Sequence, residues 1–121
     1  MLWRTVLVFA GFLLAAETAS ACSCVKLNRE QVIERSEVAF TGTVRSVGVT
    51  RDGKLVVAVV NVTERIKNRL PKRVSVVTSN EPALCGYPMQ VGRSYGFAGR
   101  FEKRDRIGVS MCTMVPMNPD H

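Results

Sequence analysis

Histidine is nearly absent from this chain: the only one, His121, is the last residue. A histidine-based triad or zinc site has nothing to be assembled from, so the chain is not expected to be an enzyme. A long apolar run is missing too. Val6 to Ala16 falls well short of the roughly 20 apolar residues that a membrane-spanning helix needs. The spacing C-x-x-C occurs nowhere, which argues against a four-thiolate zinc knuckle. Nothing repeats and no segment is low in complexity, which excludes solenoids and fibrous arrays.

The apolar run itself reads as an export signal. Arg4 supplies a positive start, and Ala19-Ser20-Ala21 has the small-x-small pattern that signal peptidase accepts. Cleavage after Ala21 is therefore expected, giving a secreted or periplasmic protein with no transmembrane segment. A lipoprotein acylated at Cys22 is the lesser alternative. Residues 22–121 remain, enough for one small domain.

All four cysteines, Cys22, Cys24, Cys85 and Cys112, lie in that domain. An even set in an exported chain reads as disulfides. Cys22 and Cys24 have only Ser23 between them, too short a spacer for ordinary disulfide geometry. Each must reach one of Cys85 and Cys112, and the spacing leaves open which takes which.

Charge is the other strong signal. The net charge is +7, and loss of the leader removes Arg4 and Glu17, which cancel. The excess gathers in Arg65, Lys67, Arg69, Lys72 and Arg73, and in Arg100, Lys103, Arg104 and Arg106. Both clusters are expected in loops and turns, as solvated surface or as contacts for an anionic surface or glycan. Export argues against nucleic acid.

Periodicity predicts one helix and five strands. Asn28 and Gln31 form a capping pair for a short helix over 28–37. Apolar alternation marks a strand from Val38, shifting phase between Val44 and Val47 as a bulge would, with Gly42 and Gly48 easing the curvature. Asp52-Gly53 is a hairpin signal leading into a central strand over 55–65. Further strands are predicted over 73–78, 94–101 and 107–111, the last two joined by the charged turn Glu102 to Asp105. The acidic residues Asp52, Glu102 and Asp105 read as solvated turn residues. Met111, Met114 and Met117 read as packing or tail residues. Asn61-Val62-Thr63 is a glycosylation sequon inside a predicted strand. Five short strands in one small domain predict an all-β, closed or nearly closed barrel, since closure removes sheet edges, over an open two-sheet sandwich, which typically has about seven strands.

A mature start at Cys22-Ser23-Cys24-Val25, the pair Cys85-Gly86, the stretch Val91 to Phe97 and a closing Cys112 together resemble the N-terminal domain of the tissue inhibitors of metalloproteinases. These belong to the netrin-like group, and the resemblance implies a five-stranded Greek-key barrel of the oligonucleotide/oligosaccharide-binding (OB) type. It implies bridges from Cys22 to Cys85 and from Cys24 to Cys112. It also implies a function without a cofactor, in which a monomer inhibits a zinc metalloproteinase. The α-amino nitrogen and carbonyl oxygen of Cys22 would chelate the protease's zinc, and Ser23 would enter its specificity pocket. Val25, Ala83 and Leu84 would extend the contact ridge along with Cys24. The other reading of such a barrel is a protein-binding or structural module that inhibits nothing, holding anionic partners through its basic loops.

Overall fold

The computed structural model describes residues 22–115; the expected leader, Met117 and His121 lie outside them. The first regular element starts where the capping pair predicts. The Asn28 side chain accepts the Gln31 N–H at 2.8 Å, and Gln31 Oε1 accepts the Asn28 N–H at 3.0 Å. Helix α1 spans Arg29–Arg35. It ends before the predicted Glu37 because Ser36 takes extended backbone and its hydroxyl donates back to the Val32 carbonyl at 2.7 Å.

Five strands follow, β1 Val38–Val49, β2 Leu55–Lys67, β3 Arg73–Ser79, β4 Ser94–Lys103 and β5 Arg106–Gly108. They close into a barrel in the order β1-β2-β3-β5-β4, as the OB-type expectation requires. Every neighbouring pair is antiparallel except β3 with β5. β2 runs past its predicted end because Arg65 and Lys67 still pair with Phe40 and Ala39 of β1. β5 is shorter than predicted. Beyond it Ser110 caps a 3-10 turn, Met111–Thr113, by accepting the Cys112 N–H at 3.2 Å.

The phase shift in β1 is a real irregularity, since its register against β2 slips between Val44 and Ser46, and twice earlier. Gly42 is required there: a Cβ would overlap the Val60 side chain and the Asn61 carbonyl. Gly48 has open space around it, so the curvature does not depend on it. At the hairpin Gly53 has φ 74°, the left-handed backbone its turn demands. The neighbouring Asp52 carboxylate accepts the Lys54 N–H and the Thr50 hydroxyl, which hold it below the usual carboxylate range.

Alternate strand residues fill the barrel. Phe40, Val44, Val60, Val74, Val76, Phe97 and Ile107 are fully buried. The Phe97 ring lies 5.1 Å from Phe40, 5.4 Å from Tyr87 and 6.0 Å from Tyr95. A second cluster of Val32, Ala39, Ala98 and Val115, with Ile33 and Ile66 against it, seats α1 on the barrel's outside.

Tyr87 is buried, and its hydroxyl donates to the Gly96 carbonyl at 3.0 Å. Burial, with nearby Tyr95 adding to it, pushes its pKa up. A raised folded-state pKa means that stability is whole below the unfolded value, near 10, and falls as pH rises above it. Between pH 10 and 11 the protein is expected to lose about 1 kcal/mol through Tyr87. Urea unfolding of Tyr87→Phe, weaker by about 1 kcal/mol at pH 8 for the lost hydrogen bond, should show a shallower alkaline decline than the parent. Parallel declines would refute this role.

Candidate functional site

Residues 22–28 form no helix or strand; covalent bonds hold the segment instead. Cys22 is bridged to Cys85, with Cα atoms 5.1 Å apart, and Cys24 to Cys112, with Cα atoms 5.3 Å apart. The two bridges sit side by side, and the Cys85 and Cys112 sulfurs are 3.7 Å apart. All four sulfurs lie within 4.8 Å of one another, but each is spent in an S–S bond and none is left as a thiolate to ligate a metal.

The late cysteines are set by their own local structure. Pro82–Leu84 makes a 3-10 turn, and Cys85 closes it in left-handed backbone, φ 64° and ψ 37°, donating its N–H to the Pro82 carbonyl. Gly86 then passes so close to Ser79 that a Cβ would overlap the Ser79 carbonyl oxygen. The Cys85-Gly86 pair thus reflects a tight chain crossing. The Cys85 carbonyl accepts the Met111 N–H at 2.8 Å, which ties the two late cysteine segments to each other.

The result is a ridge. Ser23, Cys24, Val25, Ala83 and Leu84 are exposed, and Cys22 is half-buried among them. Val25 is 75% and Leu84 67% exposed, large apolar side chains that the core does not claim. The Cys22–Cys85 bridge brings the residues before Cys85 alongside the N-terminal segment, which their sequence separation hides. A cavity of about 320 Å³ lies against the ridge, between Ser23 to Val25, Arg35, Arg100 and Cys112. Nothing in the sequence pattern signals it. Met111 and Met114 are 40% and 44% exposed and line a larger apolar groove with Val47, Val49 and Met89, so they are surface residues as much as packing ones.

The basic residues do not act as the two loop clusters expected from sequence. Arg65 and Lys67 lie on β2 and Arg73 on β3. Lys67 is committed internally: its ammonium donates to the Ile33 and Glu34 carbonyls at 2.9 and 3.0 Å, and to Ser36, at the negative end of α1. Arg69 is exposed, while Arg65, Lys72 and Arg73 share one concavity with Asn61 and Val62. In the second cluster Arg106 pairs with Glu102 at 3.1 Å, and Arg100, Lys103 and Arg104 are exposed. Asn61, the sequon residue, is half-buried in β2.

The fold and this ridge together define a class: a disulfide-stapled OB-type barrel that presents a clamped, exposed N-terminal segment. The sequence matches no protein-family model and no curated protein.

Proposed function

We propose that the chain, once cut after Ala21, inhibits zinc metalloproteinases with its new N-terminus. The observation that carries this reading is the exposed Ser23 held between two bridged cysteines, with exposed Val25 and Leu84 beside it. A protease zinc keeps one coordination position open for water. The Cys22 α-amine and carbonyl oxygen form a five-membered chelate that displaces this water. An α-amine titrates near pH 8, so it loses its proton at little cost when it meets the metal. The bridges on either side of Ser23 leave little conformational entropy to be lost on docking.

The test compares the refolded chain beginning at Cys22 with the same chain extended by one N-terminal alanine, against a panel of zinc metalloproteinases. The extension turns the Cys22 amine into an amide nitrogen, which has no lone pair to give a metal. Inhibition by the first chain, weakened about a hundredfold or more in the second, is the expected result, equivalent to about 2.7 kcal/mol or more. Equal inhibition by both would sink the chelation mechanism. No inhibition by either, from folded and doubly bridged protein, would leave the barrel as a protein-binding module.

A further inference from the structure

Three cations meet in one shallow concavity of about 570 Å³, lined by Asn61, Val62, Arg65, Lys72 and Arg73. The sheet register puts them there, because Asn61 of β2 pairs with Arg73 of β3, and the Val62 N–H holds the Lys72 carbonyl at 2.8 Å. Each arginine engages the protein through its Nε, Arg65 closely and Arg73 by a longer contact. Arg65 Nε donates to the Leu70 carbonyl at 2.8 Å, and Arg73 Nε to the Asn61 side-chain oxygen at 3.4 Å. Among the described residues, no hydrogen bond uses the Nη groups of either arginine and no carboxylate lines the concavity. The one ion pair among the described residues, Arg106 with Glu102, is elsewhere.

Anchoring by Nε takes up the mobility that usually makes a surface arginine a weak partner, and leaves the planar fork for an oxyanion with two oxygens to offer. Like charges gathered without a counter-charge repel one another, and an anionic ligand relieves that repulsion. From this we infer that the Asn61, Arg65, Lys72 and Arg73 concavity is a binding site for an acidic polysaccharide, holding its sulfate or carboxylate groups. Among the described residues the exposed large apolar side chains, such as Val25, Leu84 and Met111, lie outside this concavity, and the one apolar residue lining it, Val62, is half-buried, which leaves little apolar surface beside the cations to enter a lipid surface. Two disulfides fit a chain that folds in an oxidising compartment, where extracellular glycans rather than nucleic acids are the common polyanions. None of the four residues belongs to the N-terminal ridge, so this site stands independently of protease inhibition.

Calorimetric titration with a heparin octasaccharide, an oligogalacturonate of similar length and anionic phospholipid vesicles tests it. Binding to the sulfated or the carboxylated oligosaccharide, weakened roughly a hundredfold in the Arg65→Ala/Arg73→Ala variant, is expected. The Lys103→Ala/Arg104→Ala variant carries the same change in net charge and should bind within about threefold of the parent. Lys72→Ala removes a side chain with no hydrogen bond to the described residues, and should weaken binding about fivefold even if the double arginine variant folds poorly. Arg65→Lys keeps the charge but loses the anchored fork, and should weaken binding too. Equal losses in the two double variants would mean diffuse charge attraction and overturn the site. So would binding to vesicles alone, or binding to none of the three.

Discussion

Replacing Cys24 and Cys112 together by serine is expected to lower the unfolding free energy by about 3.5 kcal/mol, and replacing all four cysteines by about 8 kcal/mol. The two bridges close loops with separations of 63 and 88 residues, each alone worth about 4 to 5 kcal/mol in chain entropy. They are not independent. With Cys22–Cys85 in place, Cys24–Cys112 closes only the path through Ser23 and the separation of 27 residues from Cys85 to Cys112, so its added constraint is smaller. A domain of this size has roughly 5 to 15 kcal/mol to lose, so the chain without cysteines should be largely unfolded and the single-bridge variant folded but weakened. Urea midpoints of the parent and both variants measure this directly. A loss under about 1 kcal/mol for the first variant would show that the second bridge adds no constraint. The same variant bears on function. Releasing one side of Ser23 returns entropy that docking must then remove, so the proposed inhibition should weaken even where the barrel survives.

Phe97→Ala carries the other large effect, an expected loss of about 4 kcal/mol. Phe97 is fully buried, and its ring touches Phe40, Tyr87 and Tyr95, so truncation leaves a cavity walled by aromatic rings that cannot collapse inward. Phe97→Leu keeps most of the volume and should cost about 1 to 2 kcal/mol, which keeps the comparison measurable if the alanine variant does not fold. Thermal and urea unfolding give the values. A loss for Phe97→Ala no greater than that for Phe97→Leu would contradict the packing account. Val25→Ala provides the contrast: 75% exposed on the ridge, it should leave stability within about 0.5 kcal/mol of the parent.

What could be read along the chain was what local physics decides. The Asn28 and Gln31 cap, the alternation from Val38, the slip before Val47 and the Asp52-Gly53 turn each depend on residues a few positions apart. Those elements stand where the pattern puts them, and five such strands in one small chain leave a closed barrel as the economical answer. The exclusion of a Cys22–Cys24 bridge was local in the same sense, since one intervening residue limits the geometry.

Other features answered only to the closed barrel. Pairing Cys22 with Cys85 and Cys24 with Cys112 needs the 3-10 turn beyond β5 and the one after β3 brought to one place, which alternation and capping do not specify. The bridge in turn places Leu84 on the same ridge as Val25, and the cavity beside Arg35 and Arg100 exists only once α1, β4 and the N-terminal segment have met. The basic run shows the division most plainly. By itself the sequence determined how many cations stand between Arg65 and Arg73, because composition is a property of the chain alone. Only the tertiary structure turned Lys67 inward to cap α1 and set Arg65, Lys72 and Arg73 around one concavity, because a side chain's partners are fixed by which strands become neighbours when the sheet closes.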